Sequence, residues 1–257
     1  LAINNNGVQS LNKIAIIYNT SEYLLRFRTE LVQSLNKLDC EVIAITPNGS
    51  NAYNLKDVNV RWVSWSLAGQ SLNPISDFFS ILQLYHILKK ENPNIVLNFT
   101  IKPVLYGSFV ASRFGAIRIV SMITGMGSIF LPGGFKKKVV LKFIHLIYAL
   151  ALRRNHKVIF QNDDDLAYFL EHNFINPKQA VRINGSGVNL EKFTPQLCPP
   201  RSGSFLLVSR MVKEKGIFEF VNAARNLRKR YPDAVFTLVG PIDENPGSIE
   251  RNTISQW

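Results

Sequence analysis

The sequence predicts an α/β fold, with one Rossmann-like parallel-sheet domain followed by the beginning of a second. Three observations predict it. Short apolar runs rich in Ile and Val alternate with longer segments whose apolar residues recur at helical spacing. The runs are apolar almost continuously, as expected of strands in a parallel sheet covered by helices on both faces. Late in the chain a stretch rich in Gly, Ser and Pro interrupts the alternation, which then restarts.

Taken in order, Lys13–Tyr18 reads as a strand and Glu22–Leu38 as a helix, with Leu24, Leu25, Phe27, Leu31, Leu35 and Leu38 at helical spacing. Strands follow at Glu41–Thr46 and Asn59–Trp65, then a helix over Ile75–Lys90 that begins after Asn73-Pro74. The alternation continues with a strand at Asn94–Phe99, a helix from Pro103 to Phe114, a strand at Ile117–Ile123 and a helix over Lys136–Leu152. A strand at Lys157–Gln161, a helix over Asp163–His172 and a short strand at Ala180–Asn184 close the first domain, residues 1–184. Gly185–Gly203 reads as a linker. The pattern restarts with a strand at Ser204–Ser209, a helix over Lys215–Arg230 and a strand at Ala234–Val239. Residues 204–257 hold one βαβ unit where a doubly wound sheet needs several, so an incomplete second domain is expected.

Composition narrows the function. With 46% hydrophobic and 19% charged residues among 257, the chain is an ordinary globular one, and disorder is excluded. Thirty Lys and Arg against eighteen Asp and Glu give a net charge of +12, which attracts an anionic partner: nucleic acid, a lipid surface or a phosphorylated small molecule. The excess is local, because residues 101–160 carry ten basic side chains and no carboxylate. No RNP-like aromatic pattern or recognition-helix motif accompanies them, so nucleic acid is not the expected partner. Lys136, Lys137 and Lys138 precede the apolar stretch Val139–Leu152, and Arg153 and Arg154 follow it. Cations flanking an apolar helix suit an anionic membrane surface, whereas the alternative is a helix packed on the sheet with a solvated rim of charge. The stretch is interrupted by Lys142 and His145 and falls short of the ~20 residues that span a bilayer.

Other signals exclude chemistries. Cys40 and Cys198 are far apart and neither forms a CxxC, so a zinc site and a disulfide framework are not expected, and a reducing cytoplasmic location is. Peripheral attachment to the inner membrane face is compatible with it. Asp163-Asp164-Asp165 opens a helix, where carboxylates oppose the macrodipole, and reads as capping rather than as a metal site. His86, His145, His156 and His172 show no paired ligand spacing, and His86 and His145 read as helix-face residues. No GxxxxGK[ST] occurs, and Gly125-x-Gly127 has Phe130 where a dinucleotide fingerprint has its third glycine.

The segment Ser209-Arg210-Met211-Val212-Lys213-Glu214-Lys215-Gly216 resembles the donor-binding start of the second domain in family 4 retaining glycosyltransferases, which have two facing Rossmann-like domains, the GT-B architecture. Ser186-Gly187-Val188-Asn189 with Phe193, Leu238-Val239-Gly240-Pro241 and Ile123-Thr124-Gly125-Met126-Gly127 carry the same resemblance. Thr100-Ile101-Lys102-Pro103 with Tyr106-Gly107, and the Thr124-Gly125-Met126-Gly127 loop, are similar to the branch that transfers sugars to polyprenyl-diphosphate-linked glycans in surface polysaccharide or glycan assembly. The resemblance implies transfer from a nucleotide sugar, expected to be UDP-linked, to a lipid-linked or glycan acceptor. The nucleotide sugar is then a substrate, and no cofactor or metal is implied.

Under that resemblance Arg210, Lys215 and Gly216 are the candidates for binding the donor diphosphate, whose charge grows as the glycosidic bond breaks. The alternative for the two cations is a solvated loop. Thr124, Gly125 and Gly127 are candidates for a cleft loop, and Thr100 and Lys102 for the acceptor side. The first strand-to-helix loop is Asn19-Thr20-Ser21 where many relatives have a glycine pair, and Thr100 and Thr124 stand where many have histidine, so no general base is assigned. The family's two-glutamate motif is expected beyond Trp257. A UDP-sugar epimerase of the same fold is the nearest enzymatic alternative. A non-catalytic membrane-surface subunit needing a separate donor-binding partner is the alternative from another class.

Overall fold

A computed structural model describes residues 12–49, 52–67, 73–126, 130, 135–195, 203–242 and 247–257. The chain divides into two compact units, Leu1–Leu190 and Glu191–Trp257, the division falling within the stretch read as a linker.

The first unit is built on seven parallel strands: β1 Lys13–Ile17, β2 Glu41–Thr46, β3 Arg61–Ser64, β4 Ile95–Phe99, β5 Arg118–Ile123, β6 Lys157–Phe160 and β7 Ala180–Arg182. Their spatial order is β3-β2-β1-β4-β5-β6-β7, so the winding reverses between β1 and β4. Among the described residues five helices connect them: α1 Ser21–Lys37, α2 Pro74–Glu91, α3 Ile101–Ala111, α4 Phe135–Leu152 and α5 Asp163–Glu171. Caps explain the starts. Thr20 accepts from the amide of Tyr23, Asn73 from those of Ile75 and Ser76, and Asn162 from that of Asp165.

The strands are apolar on both faces because both are covered. Ala15, Ile17, Ile43 and Ile45 enter a core that includes Leu84 and Leu88 of α2 and Val110 of α3. Their neighbours Ile14, Ile16, Val42 and Ala44 enter the opposite core with Leu24 and Val32 of α1. A buried polar network crosses the sheet, with Asn98 donating to Ser121 (3.1 Å) and Ser121 to Asn155 (2.7 Å). Gly107 makes room for it, since a Cβ there would collide with the Asn98 amide. At the amino edge Arg61 joins Glu91 (2.5 Å) and Glu41 (3.3 Å).

The second unit contains β8 Ser204–Val208, β9 Val235–Val239, α6 Ile217–Arg230 and α7 Arg251–Ser255. β8 and β9 pair in parallel. Its buried core is Met211, Ile217 and Ile249, whereas Leu206, Val208 and Val235 of its strands are exposed.

Several boundaries differ from the expectations. Asn59 has φ +55°, in the left-handed region, so β3 starts only at Arg61, after a 3₁₀ turn over Ala52–Val58. Gly216 at φ +73° separates a 3₁₀ turn over Lys213–Lys215 from α6, so Lys215 precedes the helix in which it was expected. α3 begins at Ile101 instead of Pro103, because proline is tolerated in a helix's first turn. α7 was not expected.

Candidate functional site

In an open parallel sheet ligands bind beyond the carboxyl ends of the strands, at the point where the winding reverses. That point here lies between β1 and β4, whose register pairs Ile17 with Asn98. One step further along, the Tyr18 ring stacks on that of Phe99 at 5.3 Å. One more step reaches Asn19 and Thr100. Thr100 has φ +69° and ψ +164°, a conformation that L side chains with branched Cβ rarely adopt, and its hydroxyl caps nothing. The Thr100 hydroxyl oxygen and the Asn19 amide oxygen are both buried without a hydrogen-bond partner.

A third polar group joins them from α1. Arg28 is 6% exposed, and its guanidinium lies 4.6 Å over the Phe99 ring. Its Nη1 donates to Ser186 Oγ at 2.6 Å and to the carbonyl of Phe27 at 3.3 Å, while Nε has no partner. Ser186 also accepts from Gln161, at the end of β6, at 3.0 Å. Burial pushes the Arg28 pKa down and that of Tyr18 up, and their mutual contact opposes both shifts. Arg28, Tyr18, Asn19 and Phe99 were not among the candidates from sequence. The available signal was an arginine on the apolar stripe of a helix, four residues from Leu24 and four from Val32, both of which are buried.

The expected candidates lie in several places. Thr124 and Gly125 follow β5 and are exposed, at the same carboxyl edge. Gly125 has φ +139°, and a Cβ there would meet nothing within 4 Å, so its glycine answers to backbone conformation and not to crowding. Gly127 lies outside the described residues. Lys102 is tied to Asp77 of α2 at 2.7 Å, joining the two helices. Burial and a hydrogen bond with Asp77 raise the pKa of the neighbouring Tyr106.

In the second unit Arg210 follows β8 and is exposed, as is Lys215. Gly216 forms the start of α6, where no side chain caps the helix amides. The segment is held by its own backbone: Ser209 N donates to Val239 O (2.9 Å), Met211 N to Pro241 O (3.0 Å) and Lys213 N to Gly247 O (3.0 Å). A Cβ at Gly240 would collide with the Ser209 carbonyl, so the Gly-Pro strand end and the Ser-Arg loop require each other.

Lys136, Lys137 and Lys138 fall in the first turn of α4, and their side chains lie outside the described residues. Arg153 and Arg154 are exposed, and Arg154 donates to the Ser112 carbonyl at 3.2 Å. On α4 itself Tyr148, Ala151 and Leu152 are buried, while Val140, Phe143, Leu146 and Leu150 are between 41% and 64% exposed. Packing on the sheet thus accounts for one stripe of the helix only. Among the described residues no helix is long and apolar enough to cross a membrane.

Asn162 caps α5, and Asp163-Asp164-Asp165 form its first turn, Asp163 being paired with Arg182 at 3.2 Å. His145, expected on a helix face, is partly buried in an aromatic cluster, hydrogen-bonded to the Tyr168 hydroxyl at 2.9 Å and in ring contact with His172 and Phe174. Its pKa is lowered, chiefly by burial and secondarily by His172.

The profile of the family described as glycosyl transferase 4-like matches residues 13–162. A curated relative, N,N'-diacetylbacillosaminyl-diphospho-undecaprenol alpha-1,3-N-acetylgalactosaminyltransferase of Campylobacter jejuni, is 25% identical over 247 residues, 91% of this chain and 65% of its own. Another, the UDP-Gal:alpha-D-GlcNAc-diphosphoundecaprenol alpha-1,3-galactosyltransferase of Escherichia coli, is 25% identical over 66% of this chain and 46% of its own. The chain thus spans just under two thirds of the first relative and under half of the second. A solved glycosyltransferase from Rickettsia africae shares the fold with a TM-score of 0.66 at 22% identity, over 96% of this chain and 64% of that one.

Proposed function

The chain belongs to the glycosyl transferase 4-like family, and from that premise we propose that it takes part in moving a hexosyl or N-acetylhexosaminyl group from a UDP-sugar to a polyprenyl-diphosphate-linked glycan. The observation that carries this reading is the similarity, over 91% of the chain, to a transferase whose named acceptor is an undecaprenol diphosphate. In the reaction the bond between the sugar's anomeric carbon and the donor diphosphate breaks. A bond to an acceptor hydroxyl oxygen forms, and the hydroxyl proton leaves with the departing diphosphate. No protein base is needed for the balance.

Arg210 and Lys215 are proposed to meet the donor diphosphate, beside the uncapped start of α6. The strand-end loop at Thr124 and Gly125, with Thr100, is proposed to face the acceptor. A lipid-linked acceptor is presented at a bilayer surface, and the exposed apolar stripe of α4 with its flanking cations suits docking there.

The product of the whole reading frame, given radiolabelled UDP-hexoses and UDP-N-acetylhexosamines with a synthetic polyprenyl-diphosphate glycan, is expected to label the lipid with at least one donor. Absence of lipid label across the panel overturns the reading. So does interconversion of free UDP-sugars without lipid, which is epimerase chemistry.

A further inference from the structure

We propose that Arg28, with Asn19 and Thr100 beside it, binds the diphosphate of the lipid-linked acceptor at the point where the sheet of the first unit reverses its winding. The inference rests on the transferase reading above and deepens it.

An arginine that is 6% exposed is expensive to keep charged unless something negative is near. Arg61, whose side chain is far more exposed, is nevertheless held by two carboxylates. Arg28 has none among the described residues: its partners are a serine hydroxyl, a backbone carbonyl, the Tyr18 hydroxyl and an aromatic face. Every one is neutral, and Nε remains without an acceptor. The charge is therefore uncompensated, and it sits where open sheets receive ligands.

The two other orphan groups lie at the same edge of the sheet. Asn19 and Thr100 follow adjacent strands β1 and β4, one step past the stacked pair Tyr18 and Phe99 on which Arg28 rests. The Thr100 hydroxyl can donate, and the Asn19 amide can turn to present its NH₂. Arg28 Nε and the Thr100 hydroxyl are donors lacking acceptors, which a phosphate oxygen supplies, and Asn19, whose oxygen is the orphan atom as placed, adds a third donor once its amide turns. The left-handed backbone of Thr100 holds its hydroxyl at this edge under strain.

The transfer reaction contains two diphosphates, one in the donor and one in the acceptor. The cations proposed for the donor belong to the second unit. Arg28 belongs to the first, and the acceptor's diphosphate remains for it.

Calorimetric titration with farnesyl diphosphate and, separately, with UDP distinguishes the two sources. Arg28→Met, with its fold checked by circular dichroism, is expected to bind farnesyl diphosphate about 10–100-fold more weakly and UDP within about twofold of the native protein. Arg28→Lys should fall between. Should Arg28→Met not fold, the Arg28 Nε–H resonance of the native protein, assigned through Arg28→Lys, should shift on adding farnesyl diphosphate and stay unmoved by UDP. Native affinity in folded Arg28→Met, an equal loss for UDP, or an unmoved resonance overturns the proposal. Weakened farnesyl diphosphate binding without any sugar transfer would uphold this site and refute the transferase reading, and the converse result would do the opposite.

Discussion

Arg210 and Lys215 follow β8 on a segment held by backbone hydrogen bonds to Val239, Pro241 and Gly247. If they meet the donor diphosphate, they act most strongly when the glycosidic bond is breaking. Arg210→Ala is then expected to lower kcat by 10²–10³ while weakening UDP binding less, the loss typical of one such donor. Lys215→Ala should behave alike, and the double variant should lose less than the product of the two, since both serve one leaving group. Steady-state kinetics decide, and unchanged turnover in a folded Arg210→Ala enzyme would refute the assignment. The sequence showed these two cations because they stand in a glycine-bounded motif. It did not show Arg28, because one arginine within a helical stripe carries no motif, and its significance comes from Phe99, Ser186 and Tyr18, which are near it only in the folded chain. Lys102 is the opposite case, a cation in a recognisable motif that the fold ties to Asp77.

Helix α4 is the element whose composition and packing disagree most. A helix buried on one side should present polar residues on the other, yet Phe143, Leu146 and Leu150 are all more than half exposed. If this stripe docks on a bilayer, Phe143→Ser with Leu146→Ser and Leu150→Ser should reduce flotation with anionic vesicles about 10-fold or more. Lys136→Gln, Lys137→Gln and Lys138→Gln together should weaken it too, at about 1 kcal/mol per cation, and rising salt should weaken the native protein likewise. Equal flotation of both variants would sink the docking role, as would tighter binding of double-stranded DNA than of vesicles at equal salt. The other elements were legible because period and capping agree: Asn73-Pro74 and Asn162 start helices that the apolar spacing already implied. Their ends were less so. The stops at Asn59 and Gly216 are set by left-handed backbone, which any local reading of apolar runs passes over.

At the scale of the molecule, the two units differ in what they bury. The first has apolar cores on both faces of seven strands, while the second buries Met211, Ile217 and Ile249 beneath a two-stranded sheet whose outer residues remain exposed. Stability follows buried apolar area, so within these 257 residues the second unit should open first. Hydrogen exchange is expected to be faster in β8, β9 and α6 than in β1, β4 and β5, and a single cooperative transition with uniform protection would contradict this. The strand order of the first unit has another consequence, which concerns its synthesis. β1 lies inside the sheet, yet one of its neighbours, β4, follows far along the chain, and the bond from the Lys13 amide to Asn94 spans 81 residues. A ribosome adding about 5–20 residues per second takes roughly 4–16 s to cover that distance. Throughout that interval one edge of β1 offers its peptide groups to any other chain within reach. The yield of folded protein therefore depends on how that edge is shielded while translation continues.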